Sequence, residues 1–166
     1  MRLSAALPAT LIAMSLFFLP GIATAQSAIS VKDPKQFEQQ LREMGYAPDA
    51  FGTGTTTVEG LLHLPNETLG VVLAGCTDGK DCHYIVLVGS FSDLTDLPAE
   101  WVAKMNALYD LIKVWTRDDK RLAYSAGGLV DGMPRATFRA WVDQIVDSSD
   151  DLAAEAIKAG YGPKKK

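Results

Sequence analysis

Two cysteines, Cys76 and Cys82, and two histidines, His63 and His83, have the side chains with most chemistry to offer in this chain. The cysteines flank Thr77-Asp78-Gly79-Lys80-Asp81. Asp-Gly is a reversal signal, because glycine accepts the positive φ that a tight hairpin turn needs. Cysteines set symmetrically about such a turn fall on facing strand positions, roughly 4.5–5.5 Å apart between Cα atoms, a span that a disulfide tolerates. A Cys76–Cys82 disulfide is therefore expected. Redox pairs and covalent haem sites favour two intervening residues, whereas five stand between these cysteines. Cys82 and His83 are not a nucleophile and its base either, since neighbours on a strand point to opposite faces.

The other candidates resolve into structure. No carboxylate spacing marks His63 or His83 as a metal ligand, so each is expected to be partly buried and hydrogen-bonded. Gly52-Thr53-Gly54-Thr55 lacks the lysine and following helix of a nucleotide loop and reads as a turn. Asn66-Glu67-Thr68 matches a glycosylation sequon and is also read as a turn. Asp143, Asp147, Asp150 and Asp151 share one side of a helix and diverge along it, which suits a solvated stripe better than a calcium site. No Gly-x-Ser-x-Gly elbow occurs. We assign no catalytic residue, no metal and no cofactor. Trp115 is different: alternation sets it beside Lys113 and Arg117, opposite Ile112 and Val114. An aromatic between two cations fits a partner-binding surface, or a ring packed beneath their stems.

Asp33-Pro34-Lys35-Gln36 supplies a cap, a first-turn proline and a glutamine three residues on, and Phe37, Leu41 and Met44 follow at helical spacing before Gly45. This predicts a helix over 34–44. Strand patterns follow at 55–64, 69–74 and 84–88, the last two apolar enough to be covered on both faces. A second helix opens at 97–100 and turns Trp101, Met105, Leu108 and Ile112 inward. Residues 112–117 alternate, Asp118-Asp119-Lys120 turns, and 121–124 returns, with room to run on past Gly127-Gly128. Pro134 starts a third helix carrying Phe138, Trp141, Val142, Ile145 and Val146, while Ser148 and Asp151 offer a cap for a separate turn around Leu152, Ala156 and Ile157. Sequential strands joined by short turns make an antiparallel sheet. The expected class is α+β, with five strands and three helices in the order α-βββ-α-ββ-α.

These elements sit behind an address. Met1-Arg2, an apolar stretch to Ile22 broken by Pro20-Gly21, and Ala23-Thr24-Ala25 read as a signal peptide over 1–25. The leader ends without a cysteine, so no lipid anchor is expected. Residues 26–32 read as a flexible start, 33–159 as one domain and 160–166 as a basic polar tail. The periplasm or the exterior follows as the location, and there two cysteines mean a disulfide. Of the 166 residues 48% are hydrophobic and 22% charged, with a net charge of −4, which suits a globular domain. An acidic balance supplies no basic face for nucleic acid.

Cys76-x5-Cys82 on a hairpin, Phe91, Met105-Asn106, Trp115-Thr116-Arg117 through Arg121-Leu122-Ala123-Tyr124, Gly127-Gly128 and the last helix with Trp141 resemble the YbjN-domain family of bacterial proteins. The resemblance spans roughly 33–157. It implies a fold similar to type III secretion chaperones, which dimerise and bind other proteins. It also implies a role in sensory transduction regulation, and the family carries no established catalytic residues. Leu108-Tyr109-Asp110 stands where many members have a Trp-Asn pair late in the second helix.

Both sides of the third strand are apolar: Cys82, Tyr84, Val86 and Val88 on one, His83, Ile85, Leu87 and Phe91 on the other. Three helices can cover one face of the sheet, which leaves a row for self-association or for a client. The dimer or client face is assigned to His83, Ile85 and Leu87, and the chain is expected to be a non-enzymatic, homodimeric protein-interaction domain. The rival expectation is a periplasmic binder of a small apolar ligand held between sheet and helices.

Overall fold

The computed structural model describes residues 28–162. The leader expected over 1–25 lies outside them, as do residues 26–27 and 163–166. Helix α1 (Pro34–Glu43) forms where its cap signal stands: the Asp33 carboxylate accepts from the Lys35 and Gln36 amides at 2.9 and 3.2 Å. Gly45, at φ 86°, ends it, because that backbone region favours a residue without Cβ. Phe37 and Leu41 are its buried face.

The sheet holds six antiparallel strands, not five, in the order β1-β2-β3-β4-β6-β5. They are β1 (Ala47–Pro48), β2 (Thr57–His63), β3 (Thr68–Ala74), β4 (Tyr84–Thr95), β5 (Lys113–Thr116) and β6 (Arg121–Gly128). The unforeseen strand, β1, has two residues, one of them a proline, and so carries no period to read. The β3–β4 hairpin turns at Thr77-Asp78-Gly79-Lys80, with both central residues at positive φ and reciprocal Thr77–Lys80 backbone bonds. That is the expected Asp-Gly reversal. Asp81, at φ 50°, is an extra residue beyond it. Cys76 and Cys82 form the disulfide, but beyond the last paired residues, Ala74 and Tyr84. Their Cα atoms are 3.9 Å apart, closer than facing strand residues.

Helix α2 (Ala99–Leu108) stops short of Ile112, and Leu108 is 63% exposed rather than inward. Helix α3 (Arg135–Lys158) is one continuous helix: Ser148 donates to the Gln144 carbonyl instead of capping a new turn. The acidic stripe is exposed, as expected.

Burial alternates along β2, most of β3 and the first half of β4, while in β6 Ala123 is buried on the opposite row as well. Val58 and Leu62 of β2, Leu69, Val71 and Leu73 of β3, Ile85 and Leu87 of β4, and Leu122, Tyr124 and Ala126 of β6 are buried with Phe37, Met105, Phe138, Val142, Ile145 and Leu152 of the helices. All three helices thus line the same face of the sheet. Each fully buried Leu, Ile or Phe in that layer stabilises the fold by about 1.5–3 kcal/mol. Gly60 of β2 leaves room for the Phe51 ring, which would lie 2.5 Å from a Cβ at that position. The expectation that β3 and β4 are covered on both faces is overturned: Val72, Val86 and Val88 are only half-buried. Residues 28–32 are not a loose start either. Ile29 and Val31 are buried, Ile29 exchanges backbone bonds with Met133 and Gly132, and the Lys32 carbonyl accepts from Asp81. At the other end Tyr161 packs on Trp101, ring centroids 5.8 Å apart.

Candidate docking surface

Strand register defines the face that the described residues leave uncovered. One row across it is Glu59, Val72, Val86 and Gly127; the next is Leu61, Gly70, Val88, Ser125 and Lys113. Tyr84 lies beyond Val86 along β4. Leu61 is 43% and Tyr84 42% exposed, and with the three half-buried valines they make an apolar stripe. Glu59 borders it on β2 and Lys113 on β5, both exposed. Small residues at 70, 125 and 127 leave the valines standing above their neighbours.

The dimer or client face assigned to His83, Ile85 and Leu87 is therefore reversed. Ile85 and Leu87 are 0% exposed beneath the helices, and the open row is Tyr84, Val86 and Val88. His83 is exposed but precedes β4, its ring against Gly75. The other assigned trio is split. Lys113 and Trp115 lie on the open face, with Trp115 half-buried beside Ala123, whereas Arg117 has left β5 for the turn, 3.8 Å from Asp119. His63 is exposed rather than partly buried, and both its ring nitrogens are engaged, with Thr68 Oγ1 at 3.0 Å and Asp49 Oδ1 at 3.1 Å.

Both edges of the sheet are occupied in part. At one, β1 and the amides of Asp49 and Gly52 take the carbonyls of Leu61 and Glu59. At the other, Asn106 of α2 pairs with Val114 as a strand would: its Nδ2 donates to the Val114 carbonyl at 2.7 Å and its Oδ1 accepts from the Val114 amide at 2.8 Å. An added strand finds no free ladder at those positions. The broadest surface that remains available is the face.

A polar cluster forms a second feature, one that no sequence signal exposed because its members are far apart in the chain. The Tyr124 hydroxyl donates to Glu67 Oε2 at 2.5 Å. Burial pushes the Glu67 carboxyl up against the lowering effect of that bond, and Asp150 adds to the rise. Burial likewise pushes the Tyr124 phenol up, as does the bond to Glu67. Nearby, a cleft of about 410 Å³ runs between the β2–β3 turn and α3, lined by Tyr46, Glu67, Arg139 and Asp143 among others. The Arg139 guanidinium lies 5.4 Å over the Tyr46 ring and donates to the Met44 carbonyl. Tyr46 Oη and Glu67 Oε1 are buried without partners among the described residues, so the cleft does not present them to a ligand. Cavities at 33–35 with 51–54 and 78–80, and at 106–113 with 125–127, also carry charged or polar linings.

No protein-family model, curated protein or solved structure matches this chain.

Proposed function

We propose that this chain is an exported, non-enzymatic protein-interaction domain, of the regulatory or chaperone-like kind that its resemblance to the YbjN-domain family implies. It acts by docking a protein on the open face of its sheet. One observation carries the proposal: the helices all line one face, both edges are occupied in part, and the described residues leave Leu61, Val72, Tyr84, Val86 and Val88 as an apolar stripe. Such a stripe, rimmed by polar residues, is the surface of a soluble domain that gains most from being covered. Export is supported by the Cys76–Cys82 disulfide, which persists in an oxidising compartment. No helix of the described residues is long and apolar enough to cross a membrane.

The test is cross-linking in the exported protein's own compartment, comparing wild type with Val86→Asp and with the isosteric Val86→Thr, which keeps a strand-forming residue at the site. A protein cross-linked to wild type and lost from both variants is expected. Cross-linking that ignores both substitutions in folded protein would overturn the face as the docking surface.

A further inference from the structure

The open face is complementary to itself. Across its strands it is asymmetric about β4: β2 and β3 contribute Glu59, Leu61, Gly70 and Val72, while β6 and β5 contribute Ser125, Gly127 and Lys113. A two-fold axis lying in the face, parallel to β4, exchanges those halves. Val72 then sits over the second copy's Gly127, and Gly70 over its Ser125, so in both pairs a side chain meets a glycine. Leu61 lies against the stem of the second copy's Lys113. Glu59 is one row, about 7 Å, along the strand from that ammonium, within reach of two long side chains. Tyr84, Val86 and Val88 each meet their own copies on the axis. A two-fold running across the strands instead sets β2 on β2, which leaves Glu59 facing Glu59 or Leu61 of the second copy and Lys113 without an acid. Charge and shape both select the first arrangement.

We infer that the occupant of the open face is a second copy of this chain, stacked face to face about a two-fold parallel to β4, with Glu59 paired to the second copy's Lys113. This rests on the docking role proposed for that face and names its partner. Five strands about 4.8 Å apart and three rows of side chains give roughly 400 Å² per copy, so the total of about 800 Å² lies below the roughly 1,200–2,000 Å² of stable specific interfaces and suits only a transient one. The dimer is accordingly weak and reversible, with a dissociation constant in the micromolar range.

Light scattering of the purified exported protein from about 10 to 500 μM is expected to rise from monomer toward twice that mass. Glu59→Lys should weaken association about tenfold, and Glu59→Lys with Lys113→Glu should restore it, because the like-charge contact becomes an opposite one again. Val86→Cys should cross-link to itself through a short bismaleimide, sheets stacked about 10 Å apart holding the two Cα atoms beyond disulfide reach. Leu61→Cys, off the axis, should not. A dimer that the double exchange fails to restore, or that links through Leu61→Cys and not Val86→Cys, would overturn the stacking. A wild-type monomer across the whole range would overturn the second copy as occupant, yet leave the docking face standing if Val86→Thr still abolishes cross-linking to another protein. Failure of that cross-linking test as well would remove the docking role itself.

Discussion

Gly89 and Tyr124 face each other across the β4–β6 ladder, and the tyrosine ring lies where a side chain on residue 89 would stand. An ideal Cβ there would come within 2.2 Å of the ring. The glycine lets the phenol lie flat over the central strand and extend its hydroxyl to Glu67 in the β2–β3 turn. Gly89→Ala therefore has no small adjustment open to it, since Tyr124 is buried and cannot swing into solvent. A loss of about 1–3 kcal/mol in urea unfolding is expected. An unchanged midpoint would show that the ring repacks freely.

Tyr124→Phe removes the donor and leaves the Glu67 carboxyl buried beside an aromatic edge, which should cost about 1–3 kcal/mol at neutral pH. Chemical unfolding of the variant against wild type measures it. Retention of full stability would mean that water replaces the phenol.

Glu67 also sets a pH dependence. Its carboxyl is raised in the folded state, chiefly by burial, so the folded protein holds this proton more tightly than the unfolded chain does. The stability contributed is present at low pH and declines as pH rises from the ordinary carboxylate range, about 4, through the raised value. Glu67→Gln should flatten that decline in melting temperature above about pH 4, because an amide has no proton to lose. A decline of the same size in the variant would assign it to another group.

Asn106 closes the β5 edge with both ends of one amide. Asn106→Ala should cost about 1–2 kcal/mol and free the Val114 amide and carbonyl. Asn106→Asp keeps the acceptor but sets a carboxylate oxygen against the Val114 carbonyl, and should cost at least as much as alanine. Denaturation gives the order, and an alanine variant as stable as wild type would remove the edge-closing role.

The disulfide closes a short loop, so Cys76→Ser with Cys82→Ser should cost only about 2 kcal/mol and leave the circular dichroism of the sheet unchanged. Reduction of the exported wild type should add the mass of two hydrogens. Two free thiols in material taken directly from the exported pool would contradict the bond.

Local chemistry made much of this protein legible in its sequence. Asp33-Pro34 starts α1 because a carboxylate and a fixed φ act on adjacent backbone, and Asp78-Gly79 turns the hairpin for an equally local reason. The cysteines follow from that turn. The side of the sheet that would be covered was not legible, because β3 and β4 are apolar on both rows, Val71 and Leu73 against Val72, Ile85 and Leu87 against Val86 and Val88. A period of two separates the rows without ranking them. Tertiary structure ranks them by volume: Gly60 and Gly89 stand on the row of Ile85 and Leu87, and the rings of Phe51 and Tyr124 lie against those glycines on the helix side. Burying those rings together with the helix stripes outweighs burying three valines, so the valine row is the one left open. The Glu67–Tyr124 bond and the Asn106 clasp on Val114 were likewise decided only in three dimensions, since each joins groups whose proximity depends on how the strands and helices pack.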